Sequence, residues 1–379
     1  MTTILYIETG SGFGGSARSL HELLTALDRT QVRPVVVAYR DGEAIQKIRE
    51  LGVTVYSFRW PILRSRGYGR LLVHWVAREL PRAVTLARLI FKERVALVHL
   101  NTDLSSTVAG LWAAIVTRRT VVAHIRLTRE PTVFERLFGR LPACLITLTH
   151  HARTFYQRFW PAQRIEVLYN AIGPCAVAQA AADRLRRELG LADSARLIGL
   201  VARCVPGKGH EEFIQAAQLV RARHPQAQFL IIGNGPGGDA ACEATLRALG
   251  EQLGLDGALV WAGWRDVNEV LPSLDVAVQA TSTFPEGSSR VLIEAMAYGT
   301  PIVATSIATS AEILGEGEAG LLVPPGDARA MAHGIMTLLE DRELAERLCD
   351  AGRQRATAMF SPQRQAARLE QLYDTLMRR

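Results

Sequence analysis

The feature that most constrains the fold is an alternation of short β-branched runs with longer helical patterns along most of the chain. This alternation is typical of parallel α/β construction. A break at Asn170 to Pro174 separates two series. The predicted strands are Ile4 to Ile7, Val35 to Tyr39, Val53 to Phe58, Leu97 to Leu100, Val121 to His124, Cys144 to Thr149 and Glu166 to Leu168, then Leu197 to Ala202, Gln228 to Ile232, Leu259 to Trp261, Val276 to Ala280, Pro301 to Thr305 and Gly320 to Val323. The pattern predicts an α/β protein with two doubly wound, Rossmann-like domains.

The length of the chain also favours two domains. A chain of 379 residues exceeds the size at which a single core keeps growing, and 48% hydrophobic content is sufficient for two cores. We place the first domain at residues 1–174 and the second at residues 175–360. Residues 327–379 have the pattern of three consecutive helices, and we expect the last, in residues 361–379, to return to the first domain.

Cysteine usage and hydropathy favour a cytoplasmic location. The five cysteines are odd in number, widely spaced and without a Cys-x-x-Cys pair, which favours a reducing compartment and no structural zinc. The N-terminus has no basic leader, and an acid and a glycine interrupt its apolar run, so we expect no signal peptide. No run of about 18 apolar residues occurs, so we expect no transmembrane helix.

The net charge of +7 is distributed unevenly. Residues 1–174 contain 24 Arg and Lys against 12 Asp and Glu, whereas the remainder contains 20 against 25. The excess is concentrated in residues 59–94, where nine basic residues alternate with Trp and Leu. This composition suits an anionic membrane surface or a lipid-linked acceptor. A solvated basic helix face is the alternative, and no recognised nucleic-acid motif occurs.

A glycine-rich segment, Gly10-Ser-Gly12-Phe-Gly14-Gly15, follows the first predicted strand and opens a helix. It satisfies Gly-x-Gly-x-x-Gly, which alone favours an NAD-binding domain. The pattern is short, however, and Asp41 is a poor match for a ribose-binding acid. A loop that lets the backbone approach a sugar or a diphosphate explains the same residues, so both interpretations stay open.

A second glycine loop, Arg203-Cys-Val-Pro-Gly-Lys208-Gly-His, follows the first strand of the second series. Arg203 offers a forked cationic donor and Lys208 a compact charge, so the pair suits a diphosphate that becomes a leaving group. The chain has 41 arginines and three lysines, and Lys208 is the last lysine. A single lysine placed in a glycine loop favours a specific binding role for Lys208 over a general contribution to the solubility of the surface. The loop lacks the Walker pattern.

Residues 284–298 carry two glutamates, Glu286 and Glu294, where a strand passes through a glycine loop into a helix. The N-terminal end of that helix presents unpaired N–H groups and a positive dipole, which suits a phosphate. The two acids could then hold the sugar and the ribose of a nucleotide sugar. The alternative to a ligand-binding role is that Glu294 is a solvent-exposed residue of the helix and that Glu286 is an ordinary acidic residue of the loop.

Two further strands end in glycine turns at the edge where doubly wound folds place ligands. They are Gly233-Asn-Gly235-Pro and Gly263-Trp264-Arg265. Trp264 is a candidate for lining the pocket of a nucleotide base. The alternative is that its side chain packs in the hydrophobic core. No Asp-x-Asp occurs, so we expect no metal.

These elements, in this order, resemble the large retaining glycosyltransferase family 4, which has the GT-B fold of two Rossmann-like domains facing across a cleft with C-terminal helices packing back towards the first domain. The resemblance covers most of the chain and depends on seven segments. They are Ile165-Glu-Val-Leu-Tyr-Asn170-Ala-Ile-Gly, the Arg203 to Lys208 loop, Gly233-Asn-Gly235-Pro, Leu274-Asp275-Val, Glu286 to Glu294, Gly299-Thr-Pro301-Ile-Val and Gly320-Leu-Leu-Val-Pro-Pro-Gly-Asp327.

The resemblance implies roles for individual residues. Arg203 and Lys208 would bind the donor diphosphate, Glu286 the donor sugar and Glu294 the ribose. The catalytic candidates are Arg203, Lys208, Glu286 and His124. His124 matches a histidine that some members place near the reacting sugar. The alternative is that His124 is a structural residue at the end of a strand, with its hydrogen bonds satisfied within the fold. The donor-binding candidates also include Gly14, Gly15, Gly235, Trp264, Gly287, Ser288, Ser289, Val291 and Glu294, and the acceptor-binding candidates are Asn101 and Arg126.

The chain departs from the family pattern at three places. Ser288-Ser289 replaces Phe-Gly or a similar pair, which puts the sugar selectivity in question. Tyr169-Asn170-Ala171 replaces Pro-Asn-Gly, and Thr309-Ser310 replaces a glycine pair.

The sequence thus predicts a metal-independent retaining transferase. Its donor would be a UDP or GDP sugar and its acceptor a glycan or lipid-linked hydroxyl, at the inner face of the plasma membrane. The alternatives are a nucleotide-sugar epimerase, a glycan phosphorylase, an NAD-dependent enzyme and a non-catalytic binding protein.

Overall fold

The computed structural model describes residues 1–10, 15–58, 60, 78–173, 179–192, 194–233 and 239–378. The chain divides into two compact units. Unit 1 comprises Met1–Ala171 and Ser361–Arg379, and unit 2 comprises Ile172–Phe360. The C-terminal helix therefore belongs to unit 1, although 189 residues of unit 2 precede it in the chain.

Unit 1 contains a sheet of seven parallel strands in the order β3-β2-β1-β4-β5-β6-β7. Its strands are β1 (Thr2–Glu8), β2 (Val32–Ala38), β3 (Thr54–Ser57), β4 (Leu97–Leu100), β5 (Thr120–Ile125), β6 (Cys144–Thr147) and β7 (Ile165–Val167). Its helices are α1 (Gly15–Ala26), α2 (Glu43–Glu50), α3 (Leu80–Lys92), α4 (Val108–Val116), α5 (Val133–Phe138), α6 (His150–Gln157) and, from the C-terminus, α15 (Pro362–Met377).

Unit 2 contains six parallel strands in the order β10-β9-β8-β11-β12-β13. Its strands are β8 (Arg196–Val201), β9 (Ala227–Ile232), β10 (Leu259–Gly263), β11 (Val276–Gln279), β12 (Ile302–Thr305) and β13 (Leu321–Val323). Its helices are α7 (Gln179–Glu188), α8 (His210–Arg223), α9 (Ala240–Gln252), α10 (Val267–Val270), α11 (Arg290–Tyr298), α12 (Ala308–Ile313), α13 (Ala328–Glu340) and α14 (Arg342–Met359), with a 3₁₀ turn at Leu271–Ser273.

Burial explains why the strands are continuous apolar runs. Both faces of the first sheet are covered, one by α1, α2 and α15 and the other by α3, α4 and α6. Strands buried on both faces read as unbroken β-branched runs. The predicted strands, and the prediction of two doubly wound α/β domains, are therefore confirmed.

The strand order reverses beside the first strand of each sheet. In unit 1 this point lies between β1 and β4, and in unit 2 it lies between β8 and β11. Doubly wound sheets bind ligands where the order reverses, at the carboxyl ends of the strands. The loops after these four strands are therefore where a site is expected. Among the described helices, none is long and apolar enough to cross a membrane.

Candidate active site

The loop between β8 and α8 lies directly against the segment that follows β11. Gly207 has φ 83° and Gly209 has φ 76°, which is a conformation that glycine adopts without steric cost. A Cβ atom at Gly209 would lie 1.9 Å from the carbonyl oxygen of Ala280. The Gly207 carbonyl accepts hydrogen bonds from the N–H groups of Ser282 and Phe284, at 3.0 and 3.2 Å. The backbone thus fixes where Lys208 stands.

Lys208 forms an ion pair with Glu286. Its Nζ also lies 4.2 Å from the centroid of the Phe284 ring, within the range of a cation–π contact. The two paired side chains are only 14% and 13% exposed, and the Thr281 hydroxyl donates to the same carboxylate at 3.4 Å. Two residues that are 78 positions apart in the chain are therefore held as one unit at the edge of the sheet.

Arg203 opens the same loop and is exposed. Among the described residues it has no ion pair, so its guanidinium can accept an anion without breaking an existing contact. Two cations of different geometry, one exposed and one held by an acid and an aromatic ring, thus follow β8.

Helix α11 begins just beyond Glu286. Its N-cap residue, Ser289, makes no hydrogen bond from its side chain to the helix, and no acid lies in the first turn. Gly287 and Ser289 are buried, and Val291 is half-buried. The Ser288 hydroxyl is buried and lacks a partner in the parts of the chain that are described. The helix end therefore keeps N–H groups that no side-chain cap satisfies.

Glu294 lies on the buried face of α11 and forms an ion pair with Arg290 at 3.2 Å. The alternative that placed Glu294 in solvent is wrong. Trp264 is 57% exposed just after β10, so the alternative that placed it in the core is also wrong. Gly15 is the first residue of α1, whereas Gly14 and Gly235 lie outside the described residues.

Unit 1 has a buried acid at the end of β1 that the sequence analysis did not identify. Glu8 accepts hydrogen bonds from the Gly10 N–H at 2.7 Å, the Ser16 hydroxyl at 3.1 Å and the Asn101 amide at 2.5 Å. Its side chain is completely buried. The carboxylate thus joins both ends of the first glycine loop to the residue that follows β4.

The two acceptor candidates, Asn101 and Arg126, contact each other. Arg126 donates from Nε to the Asn101 carbonyl at 2.5 Å and from Nη2 to the Asn101 side-chain oxygen at 2.7 Å. Its Nη1 donates to Asn170 at 3.3 Å, and Asn170 also accepts from the Ser19 hydroxyl at 3.0 Å. The end of β5 is therefore hydrogen-bonded to the ends of β4 and β7.

His124 stands near the end of β5 and is 2% exposed. Its Nδ1 lies 2.8 Å from Nε2 of His99 on β4. Burial, with a smaller contribution from the charge of Arg126, lowers the pKa of His124 well below its ordinary value. The alternative of a structural strand-end histidine therefore holds for only one ring nitrogen of His124. Nδ1 has a hydrogen-bond partner, whereas Nε2 has none among the described residues.

Among the residues that the structure describes, no three His, Cys, Asp or Glu side chains are grouped so that they could hold a metal ion. Among the described residues, the cationic side chains at this edge of unit 2 include Arg203 and Lys208, beside the start of α11.

Two family models match the chain in sequence. The model for glycosyltransferase family 4 matches residues 13–174, and the model for glycosyl transferases group 1 matches residues 181–355. Together they cover most of both units. The chain belongs to glycosyltransferase family 4.

Curated relatives of this family 4 chain act in different contexts. D-inositol 3-phosphate glycosyltransferase of Corynebacterium glutamicum is 33% identical over 196 residues, which is 51% of this chain and 47% of that protein. The chain thus matches about half the length of that relative. 2-Deoxystreptamine N-acetyl-D-glucosaminyltransferase of Streptomyces fradiae is 28% identical over 351 residues, covering 83% of this chain and 80% of that protein.

Among solved structures, Anabaena HepE in complex with UDP and glucose superposes with a TM-score of 0.83 at 21% identity. The match covers 99% of this family 4 chain and all of HepE. This similarity establishes the GT-B fold.

Proposed function

We propose that this chain transfers a sugar from a nucleoside diphosphate donor to an acceptor hydroxyl, with retention at the anomeric carbon and without a metal. The contact between Lys208 and Glu286 carries the proposal, because it joins the two loops at the point where the strand order of unit 2 reverses. The UDP and UDP-glucose complexes of HepE support a donor of the UDP type.

The reaction requires stabilisation of the charge that develops on the leaving diphosphate. Arg203, Lys208 and the N–H groups at the start of α11 would supply it, and such preorganised donors typically contribute several kcal/mol. Glu286 would contact the donor sugar while it holds Lys208, and Glu294 would hold the ribose. The leaving phosphate would act as the base towards the acceptor, because retention places both groups on one face of the sugar.

The test is a panel of nucleotide sugars scored for the release of UDP or GDP, since slow hydrolysis needs no known acceptor. Lys208→Ala should lower kcat/KM by about 10²-fold or more, as expected for one electrostatic contact in the transition state. Lys47→Ala is the matched control, because Lys47 forms an exposed ion pair with Glu43 in unit 1. Turnover near the wild-type level in Lys208→Ala would contradict the assignment, and isomerisation of the donor would indicate an epimerase.

We further propose that unit 1 contacts the cytoplasmic face of an anionic membrane through α3, to reach a glycan or lipid-linked acceptor. Residue 59 and residues 61–77 of the basic stretch lie outside the described residues. Within α3, the side chains of Leu80, Val84 and Phe91 are 54%, 43% and 62% exposed on one helix face. The exposed Arg88 lies on the same face.

The two acidic residues that flank α3, Glu79 and Glu93, are buried. Glu79 is buried in an ion pair with Arg82, and Glu93 is buried with Arg33 and Tyr56. The exposed face of α3 thus combines apolar and basic side chains, which is the composition of interfacial helices.

Vesicle sedimentation tests this contact. The wild-type chain should sediment with phosphatidylglycerol vesicles and less so at high salt. Leu80→Asp/Phe91→Asp should lower the partition coefficient about tenfold or more, because two apolar side chains are lost. Leu219→Asp, at a 40% exposed position in unit 2, is the control. Wild-type protein that fails to sediment at any salt concentration would contradict the proposal.

A further inference from the structure

Two cysteine side chains of unit 2 meet at the carboxyl edge of its sheet. Cys204 follows Arg203 in the loop after β8, and Cys242 is the third residue of helix α9. The thiols of Cys204 and Cys242 are in hydrogen-bond contact. Both cysteines are free thiols. The loop that carries Arg203 and Lys208 thus touches the start of α9 through a pair of oxidisable groups.

Asp239 links the backbone of the two cysteines. Its N–H group donates to the Cys204 carbonyl at 2.9 Å. Its carboxylate caps α9 and accepts from the N–H groups of Ala241 and Cys242, at 3.0 and 3.2 Å. Both cysteine side chains also pack against the same apolar core of unit 2. The contact between the thiols therefore follows from the positions of the loop and the helix.

The two thiols differ in how far they meet solvent. Cys204 is 1% exposed, whereas Cys242 is half-buried. Burial, with a smaller contribution from Cys242, raises the pKa of Cys204 to about 12, so this side chain stays a thiol at ordinary pH. The oxidation of cysteine depends on exposure. An oxidant in solution should therefore react first with Cys242, and Cys204 then lies beside the oxidised sulfur.

Oxidation of this pair by a peroxide takes two steps. The Cys242 sulfur attacks hydrogen peroxide, an S–O bond forms, the O–O bond breaks, and the leaving hydroxide takes the thiol proton to give water. Cys242 is then a sulfenic acid. The Cys204 sulfur attacks the Cys242 sulfur, the S–O bond breaks, and the Cys204 proton leaves with the hydroxyl group as a second water. Two thiols are thus oxidised to one disulfide, and one peroxide is reduced to two waters.

We propose that Cys204 and Cys242 form a reversible oxidation site, at which a peroxide joins the loop after β8 to α9 by a disulfide. The two sulfur atoms of a disulfide are about 2.05 Å apart, closer than in a hydrogen bond between thiols. The loop and α9 must therefore approach each other, and Arg203, the residue next to Cys204, moves with the loop. Only this consequence for turnover rests on the proposed function. Small thiols reverse the oxidation by thiol–disulfide exchange.

Peptide mapping of the full-length protein detects the disulfide. Trypsin releases Cys204 in residues 204–208 and Cys242 in residues 224–247, and neither peptide contains another cysteine. After treatment of the folded protein with hydrogen peroxide and blocking of the remaining thiols, mass spectrometry should find these two peptides joined in the wild type. Dithiothreitol should separate them. Absence of the joined peptides from the peroxide-treated wild type would overturn the proposal.

Substitutions of single cysteines test the order of the two steps. In Cys204→Ser, Cys242 should remain a sulfenic acid, which dimedone labels, and Cys204→Ala serves if the buried hydroxyl prevents folding. In Cys242→Ser the joined peptides should be absent, and dimedone should not label Cys204, because Cys204 is buried.

Cys349→Ser is the matched control, since Cys349 is a buried cysteine of unit 2 on another helix, α14. The joined peptides should persist in this variant. Equal dimedone labelling of Cys242 in the wild type and in Cys204→Ser would overturn the proposal, because Cys204 would then not react with the sulfenic acid.

Donor hydrolysis separates this inference from the proposed function. Peroxide should lower the nucleotide release of the wild type by about tenfold or more, because a displaced Arg203 stabilises the leaving diphosphate less well. Dithiothreitol should restore the release, and Cys242→Ser should keep its activity in peroxide. Joined peptides with unchanged turnover would overturn the effect of the disulfide on the loop after β8. A chain that forms the joined peptides but releases nucleotide from no donor would contradict the proposed function and leave the oxidation site intact.

Discussion

The carboxyl ends of the two sheets are built in different ways. In unit 2, glycine backbone determines the path of the loop after β8, and the loop carries one exposed cation, Arg203, and one paired cation, Lys208. In unit 1, side chains determine the edge, because Glu8, Asn101 and Arg126 bind one another and the loops around them. One edge is held by main-chain sterics, and the other by a buried hydrogen-bond network.

The two edges should therefore differ in how far a substitution changes stability and activity independently. A loop fixed by its backbone can lose an exposed charged side chain and keep its shape, so Arg203→Ala should affect turnover far more than folding. In a buried network each side chain satisfies several others, and its removal leaves polar groups without partners. Substitutions at the edge of unit 1 should therefore affect folding and activity together.

The largest expected effect on folding comes from the backbone of unit 2. Gly209→Ala places a Cβ 1.9 Å from the Ala280 oxygen at φ 76°, so the loop must move away from the segment after β11. The left-handed conformation and the overlap together should lower the free energy of unfolding by about 4 kcal/mol. Urea denaturation measures this change, and donor hydrolysis should fall with it.

Gly254→Ala isolates the conformational cost. Gly254 has φ 67° and no atom within 4 Å of its added Cβ, so we expect a loss of about 1 kcal/mol. Equal losses at Gly209 and Gly254 would show that close packing does not define the loop after β8.

The comparison also explains what the sequence revealed. The strands were predictable because burial on both faces selects continuous β-branched runs. Lys208 and Glu286 could be identified because glycine loops after strands are local patterns, and the structure places the pair in contact. The direct ion pair between them was not predictable, because the contact joins residues 78 positions apart.

The network of unit 1 was missed for the same reason. Glu8 contacts Asn101 across 93 positions, and His99 contacts Tyr373 across 274. The available signal was a polar residue within an apolar strand, since a buried Glu or His requires a partner. That signal applies to Glu8 and His99, but nothing local indicates that Tyr373 is the partner.

Loss of the Glu8 carboxylate should have a smaller effect than Gly209→Ala. Glu8→Gln replaces an acceptor oxygen with an N–H₂ group opposite donors from Gly10, Ser16 or Asn101. We expect the free energy of unfolding to fall by about 3 kcal/mol, because a buried donor would face another donor. Donor hydrolysis should also decrease.

Glu43→Gln is the control for Glu8→Gln, since Glu43 forms an exposed ion pair with Lys47. It should change stability by less than about 0.5 kcal/mol. If both variants unfold at the same urea concentration, the side-chain network does not hold the edge of unit 1, and the contrast between the two edges fails.

The smallest expected effect is a difference in acid sensitivity between the units. Burial lowers the pKa of His99 to about 3 and of His124 well below its usual value in unit 1, and of His210 to about 4 in unit 2. An unfolded histidine binds a proton below about pH 6.5. Between that pH and the lower folded pKa the unfolded state holds more protons, so stability decreases as pH falls and returns as it rises.

Each of the three should cost about 2 kcal/mol between pH 6.5 and 5, and burial also lowers the pKa of the half-buried His21 of unit 1, so unit 1 should lose at least about 2 kcal/mol more than unit 2. Hydrogen–deuterium exchange of the full chain at pH 7 and 5, corrected for intrinsic exchange rates, resolves the loss by unit. Peptides from β4 and β5 should lose more protection than peptides from β8 and β11. Equal loss in the two units would mean that His99 and His124 bind protons in the folded state, which their burial opposes.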